Sequence, residues 1–103
     1  MTNHSNEKIR SELQKILVDA LRVDPTEITL DARIFGDLEA ESIDILDIQF
    51  QIERTFGLII DQNELIANLG EGLSVREIDD KLTVQWCLDF IERRLEDPGA
   101  TET

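Results

Sequence analysis

The stretch that decides the fold is residues 38–57, LEAESIDILDIQFQIERTFG. Ser42 belongs to the residue types that cap helix N-termini and Gly57 to those that end helices, which predicts a helix from Ser42 to about Phe56. At helical spacing its apolar residues fall on two opposite faces. The first face carries Ile45, Ile48, Ile52 and Phe56, and the second carries Ile43, Leu46 and Phe50. Because a small domain has one core, the second face is left for a partner, a ligand or another packed element.

The segment before this helix is predicted to form a helix, a short turn and a long loop. Apolar residues recur at helical spacing from Ser5 or Asn6 to near Val23. Residues 24–27, Asp-Pro-Thr-Glu, supply the cap, first-turn proline and closing glutamate of a further helical turn. Residues 28–41 have no sustained period, so we expect an ordered loop. Its apolar anchors are Ile28, Leu30, Ile34, Phe35 and Leu38.

The segment after Gly57 is predicted to hold shorter helical pieces and one longer helix. A short helix is expected near residues 62–68, before Gly70. Residues 74–80 could add one or two helical turns, with Ser74 and Glu77 at capping-box spacing. The last helix begins around Thr83 and extends to about Leu95. The prediction is an all-α, four-helix bundle spanning residues 1–103 as a single domain, with frayed tails at residues 1–5 and 97–103.

The charge balance restricts the possible partners. Lys and Arg number 10 against 23 Asp and Glu, which gives a net charge of -13. Nucleic acids and anionic membrane surfaces bind through basic patches, so neither is expected as a partner. No apolar run approaches the ~20 residues that a membrane span needs. The polar start of the chain lacks the apolar segment of a secretory signal, so we expect a cytoplasmic protein.

Side chains that could carry out catalysis are scarce. Cys87 and His4 are the single cysteine and histidine, so the sequence offers no zinc site and no Cys–His nucleophile pair. A serine nucleophile would lack a nearby base. Residues 37–42, DLEAES, fail the calcium-loop pattern at its glycine. We therefore expect neither a catalytic site nor a dedicated metal site.

Acidic residues are concentrated around the central helix. Residues 37–64 contain eight Asp and Glu against Arg54 alone. The helix dipole favours acids only in the first turn. Acids that flank an apolar stripe instead indicate a docking surface with an apolar centre and a charged rim. The expected partner-binding residues are Glu41, Ile43, Asp44, Leu46, Asp47 and Phe50. By pattern alone, the ordinary interpretation of Ser42 is a helix cap.

A family resemblance gives Ser42 a second interpretation. The run Leu38-Glu39-Ala40-Glu41-Ser42-Ile43-Asp44 resembles the L-G-x-D-S-L-[DE] signature of acyl carrier proteins. The order of predicted elements over residues 7–95 is also similar to that family. The resemblance implies an acyl-carrier-like bundle in which Ser42 carries 4'-phosphopantetheine, donated by CoA, and in which the protein is not an enzyme. This chain departs from the signature at Glu39 for Gly, Glu41 for Asp and Ile43 for Leu.

The resemblance also implies partners and a pathway. A phosphopantetheinyl transferase would attach the arm, and acyl synthases and acyltransferases with basic docking surfaces would use it, the carrier itself being a monomer. Residues 58–82 are longer than in common fatty-acid carriers. In this length, and in the stretches Ile45-Leu46-Asp47-Ile48 and Phe56-Gly57-Leu58, the chain resembles the specialised carriers of very-long-chain acyl groups for lipid A. We expect this segment to widen an acyl pocket or to cover the stripe Ile43, Leu46 and Phe50.

Three alternatives stay open at this point. Carriers of polyketide or other secondary pathways also vary in residues 58–82. A protein of another class, an acidic helical adaptor in which Ser42 is never modified, would have the same composition. A surface insertion without a function is the third possibility for residues 58–82, because lengthening a loop costs little closure entropy.

Overall fold

The computed structural model describes residues 6–96, and its regular structure within that range is helical. The helices are α1 (Asn6–Leu21), α2 (Ser42–Phe56), α3 (Gln62–Leu69), α4 (Val75–Lys81) and α5 (Val84–Glu96), with a 3-10 turn at Pro25–Glu27. An isolated antiparallel bridge joins Arg33 to Thr83. The predicted all-α architecture is confirmed. The predicted tails at residues 1–5 and 97–103 lie outside the described residues.

The connection after α1 differs slightly from its prediction. α1 ends at Leu21, before the predicted end near Val23, because Arg22 has a left-handed φ of 58° that cannot continue a helix. The predicted helical turn then follows. Asp24 accepts a hydrogen bond from the Thr26 N–H at 3.1 Å, and Glu27 accepts one from the Asp24 N–H at 3.0 Å. The second bond, together with the Glu27 N–H donating to the Asp24 side chain, forms the expected capping box.

The core lies between α1, α2, α5 and the long loop. Each of the three helices buries an apolar face: Ile9, Leu13, Ile16 and Leu17 from α1; Ile48, Ile52 and Phe56 from α2; Val84, Leu88, Phe90 and Ile91 from α5. From the loop, Ile34 and Leu38 are buried, and Ile28, Leu30 and Phe35 pack against the core while partly exposed. The prediction of an ordered loop pinned by these side chains is confirmed.

The segment between α2 and α5 contains α4, at the place where the sequence predicted one or two further helical turns. α4 is capped by Ser74, whose hydroxyl accepts the Glu77 N–H at 3.2 Å. The Glu77 carboxylate in turn accepts the Ser74 N–H at 2.8 Å, and this backbone hydrogen bond, followed by the interaction with the Ser74 side chain, lowers the pKa of the Glu77 carboxyl. Neither α3 nor α4 contains a buried residue. Both helices therefore lie on the outside of the core. None of the described helices has the length and apolar character to cross a bilayer.

Candidate functional site

Ser42 is the first residue of α2, and the helix cap is its neighbour. Glu41 has the extended backbone of an N-cap, and its N–H donates to the Asp44 carboxylate at 2.9 Å. The prediction that the Ser42 hydroxyl caps the helix is therefore wrong. The sequence favoured Ser42 because serine is a preferred capping residue, whereas the backbone places Glu41 at the N-cap and Ser42 inside the helix. Ser42 is exposed, and within residues 6–96 its hydroxyl makes no hydrogen bond, which leaves the oxygen available for chemistry.

Two buried residues fix the loop that leads into Ser42. Leu38 and Ala40 are 4% and 9% exposed, and the Ala40 N–H donates to the Ile34 carbonyl at 3.0 Å. Between them Glu39 has a left-handed φ of 61°, a conformation that favours glycine. This position is the one where the acyl carrier signature has Gly. The geometry thus explains the glycine of the signature, and Glu39 adopts the same turn at a cost of about 1–2 kcal/mol.

An ionic network joins the same loop to α4. The Arg33 N–H donates to the Asp37 carboxylate at 2.8 Å, and Nη1 of Arg33 lies 3.3 Å from Asp79 and 3.3 Å from Asp80. The backbone and guanidinium hydrogen bonds from Arg33 lower the pKa of Asp37, and Asp37 raises the pKa of Arg33. α4 is therefore attached to the loop that presents Ser42.

The second apolar face of α2 is open to solvent, as its pattern predicted. Ile43, Leu46 and Phe50 are 69%, 43% and 54% exposed. Asp47 is exposed beside them and Asp44 is partly exposed. The expectation that residues 58–82 would cover this stripe is wrong for the described residues. The structure brings all six predicted partner-binding residues to the N-terminal two-thirds of α2 and its cap.

The first apolar face of α2 borders a cavity of about 110 Å³. The cavity begins at Ile45, three residues after Ser42, and Ile48, Gln49 and Ile52 continue its wall along α2. Its other walls come from the loops, α3 and α5: Ile34, Ile60, Leu65, Leu69, Leu82, Trp86, Cys87, Phe90 and Ile91. Gln49 is the polar side chain among them, and its amide donates to the Ile60 carbonyl at 3.1 Å. The cavity is lined by apolar surface suited to a hydrocarbon chain.

The helical spacing of Trp86, Cys87 and Phe90 is typical of core residues, but it does not reveal the cavity. Trp86 and Phe90 stack with ring centroids 5.4 Å apart, as expected from their helical spacing. Apolar surroundings raise the pKa of the Cys87 thiol to about 12. The thiol therefore stays protonated near neutral pH and forms an inert part of the wall. Helical spacing reveals which residues point inward, whereas an incompletely filled interior depends on distant elements.

A second depression, between α1 and α2, has a different character. It is lined by Asp19, Asp47, Gln51, Arg54 and Thr55. The Gln51 amide donates to Asp19 of α1 at 3.0 Å, which joins the two helices, and to Asp47 within α2 at 3.3 Å. Such a charged, open surface offers no favourable environment for an acyl chain. Among residues 6–96, no group of three or more His, Cys, Asp or Glu is arranged to hold a metal ion.

Comparisons with known proteins agree with this arrangement. The family model for the phosphopantetheine attachment site matches residues 11–71, which include Ser42. An acyl carrier protein of Amoebophilus asiaticus is 39% identical over 66 residues, covering 62% of this chain and 82% of the relative. One from Thermotoga maritima is 33% identical over 75 residues, covering 71% and 93%. One from Petrotoga mobilis is 36% identical over 61 residues, covering 59% and 72%. The chain therefore belongs to the acyl carrier protein family, whose members are carriers with covalently attached 4'-phosphopantetheine and not enzymes.

Proposed function

We propose that the protein carries acyl groups as thioesters on a 4'-phosphopantetheine arm attached to Ser42. The observation that carries this proposal is a hydroxyl at the start of α2 that is exposed, has no hydrogen-bond partner within residues 6–96, and lies one helical turn from the apolar cavity at Ile45. A phosphopantetheinyl transferase would supply the base and Mg²⁺, and CoA would supply the arm. The chain itself then needs only an accessible oxygen, which is consistent with the scarcity of catalytic side chains.

The cargo best suited to the cavity is a fully reduced, aliphatic acyl chain. Each CH₂ that leaves water for an apolar site gains about 0.8 kcal/mol. A keto or hydroxyl group out of reach of the Gln49 amide would lose its hydrogen bonds to water without replacement, because the rest of the lining is largely apolar. This chemistry favours fatty acid or specialised lipid synthesis over polyketide synthesis. Residues 58–82 contribute Ile60, Leu65, Leu69 and Leu82 to the lining, which supports a role of this segment in holding a long cargo such as the very-long-chain groups of lipid A.

Partner enzymes would dock on the exposed face of α2. Ile43, Leu46 and Phe50 supply the apolar centre, and Glu41, Asp44 and Asp47 supply the acidic rim. A net charge of -13 attracts basic surfaces and repels a second copy of the chain, which supports a monomeric carrier. The proposed site of action is the cytoplasm, where the transferase and CoA are available.

An acidic helical adaptor that is never modified is the second candidate. The exposed stripe on α2 favours it specifically, because such a stripe would bind a partner whether or not Ser42 carries an arm. The two candidates differ in one covalent event. Intact mass after modification therefore separates them.

The test incubates the purified protein with CoA, Mg²⁺ and a broad-specificity phosphopantetheinyl transferase. We expect the mass to increase by one 4'-phosphopantetheine group, and Ser42→Ala to gain nothing. Ser74→Ala is the matched control, since Ser74 also stands at a helix start but its hydroxyl is bonded to the Glu77 N–H. Ser74→Ala should be modified normally. Failure of the wild-type protein to be modified, beside an authentic carrier that is, would favour the adaptor.

A further inference from the structure

α3 is the wall of the acyl cavity that is least anchored in the core. Leu65 and Leu69 line the cavity, yet α3 contains no buried residue, and Ile66 is 50% exposed. The facing walls are different. α2 contributes the buried Ile48 and Ile52, which also pack in the core, and α5 contributes Phe90 and Ile91. An enlargement of the cavity would therefore displace α3 before it displaces α2 or α5.

A partly buried ion pair holds α3 against α5. Nη1 of Arg94 donates to both carboxylate oxygens of Glu64, at 2.7 Å and 2.6 Å, and Nη2 donates to the Ile59 carbonyl at 2.9 Å. The Arg94 side chain is 10% exposed and that of Glu64 is 29% exposed. Nε of Arg94 is buried and has no hydrogen-bond partner among the described residues. The guanidinium thus depends on Glu64 and Ile59, and outward movement of α3 would remove its counter-charge.

Two further cations, one on α5 and one on α4, bind the C-terminal half of α3. Nη1 of Arg93 donates to the Asn68 side-chain oxygen at 3.1 Å, and Nζ of Lys81 donates to the Leu69 carbonyl at 2.8 Å. Both of these bonds are exposed to solvent, where such contacts stabilise weakly. Of these three contacts of α3, the Glu64–Arg94 contact is the one that is partly buried and joins two charged side chains.

The size of the cavity makes this contact relevant to the cargo. At about 110 Å³ the cavity is smaller than the ~150 Å³ that accommodates a benzene molecule in an apolar protein interior. A short acyl chain fits, whereas burial of a long one requires a wall to move. We propose that the Glu64–Arg94 ion pair determines the length of acyl chain that the cavity admits, by resisting outward displacement of α3. This inference rests on the proposed carrier function.

The test loads the holo protein with a graded series of saturated acyl groups, from butanoyl to hexadecanoyl, and measures the melting temperature of each. In the wild-type protein the melting temperature should rise with each two-carbon step and then level off at a limiting length. Glu64→Gln preserves the shape of the side chain but removes the counter-charge of Arg94. Its limiting length should increase by at least one two-carbon step. Because each variant is compared with its own unloaded form, a general loss of stability cancels.

Glu12→Gln is the matched control for the charge change. The Glu12 side chain is 28% exposed, close to the 29% of Glu64, and it lies 4.0 Å from Lys15 on α1. Its limiting length should equal that of the wild-type protein. Arg94→Lys is the second variant if Glu64→Gln does not fold, since lysine keeps the charge but lacks the planar fork that reaches both Glu64 and Ile59. It should lengthen the limit as well.

The outcomes separate this inference from the function on which it rests. An unchanged limiting length in Glu64→Gln, or in Arg94→Lys where the first variant is unfolded, overturns the role of the ion pair. An equal increase in Glu12→Gln overturns it too, because the effect would then follow from net charge. Absence of any acyl loading, or a wild-type melting temperature independent of chain length, would instead contradict the proposed carrier function or its cavity.

Discussion

Asp44→Ala should destabilise the domain, whereas Ser42→Ala should leave its stability nearly unchanged. The Asp44 carboxylate accepts the Glu41 N–H at 2.9 Å in the first turn of α2. Loss of a capping interaction costs about 1 kcal/mol, and loss of a negative charge near a helix N-terminus costs about 0.3–1 kcal/mol more. Asp44→Ala should therefore lower the free energy of unfolding by about 1–2 kcal/mol. Ser42→Ala should change it by less than about 0.5 kcal/mol, because the hydroxyl is exposed and unbonded.

Urea unfolding of the unmodified protein measures both changes. If the free energy of unfolding depends on urea concentration with the same slope in each variant, their unfolded states are comparable. Each kcal/mol also corresponds to roughly 4–8 °C in melting temperature for a domain of this size. Asp47→Ala is the control: it removes the same charge from α2, and an exposed hydrogen bond from Gln51, but leaves the cap intact. A cost for Ser42→Ala equal to or larger than that for Asp44→Ala would show that the serine hydroxyl caps the helix, and would refute this reasoning.

Three further predictions concern docking, cargo and pH. Asp47→Lys should slow transfer to partner enzymes without destabilising the domain, and wild-type association rates should fall as added salt shortens the screening length from about 10 Å to about 3 Å; salt-independent rates would contradict electrostatic docking. Hydrogen exchange should show stronger protection of α3 amides with a long acyl chain than with a short one, and equal protection would remove α3 from the cargo site. Because Ser74 lowers the pKa of Glu77 below 4.5, the stabilisation from this carboxylate is complete above pH 4.5 and is lost as pH falls through the lowered pKa. Glu77→Gln should therefore flatten the acid side of the stability profile, and an unchanged profile in thermal unfolding would count against this assignment.

Local sequence signals predicted the parts of the fold that depend on near neighbours. The two faces of α2 follow from helical spacing, and the structure buries Ile48 and Ile52 while exposing Ile43 and Phe50. The capping box at Ser74 also needs contacts only three residues apart. The cap of α2 was missed even though it is local. Residue preference favours serine over glutamate as a cap, whereas the backbone places Glu41 at that position.

The cavity and the Glu64–Arg94 ion pair beside it could not be predicted in the same way. Arg94 meets Glu64 across 30 positions of sequence, and no local period links α3 to α5. Whether residues 58–82 would line a pocket or cover the exposed stripe depended on how α3 packs. The structure places Leu65 and Leu69 at the cavity and leaves Ile43 and Phe50 open. Such features arise from tertiary packing, which spacing along a single element does not encode.

The most direct test of the central claim is tandem mass spectrometry of the protein after incubation with CoA and a phosphopantetheinyl transferase. Fragment ions locate the added group on a single residue. The account predicts one 4'-phosphopantetheine group on Ser42 and none on Ser11 or Ser74. An added group on another serine, or an unmodified protein beside an authentic carrier that is fully modified, would contradict it.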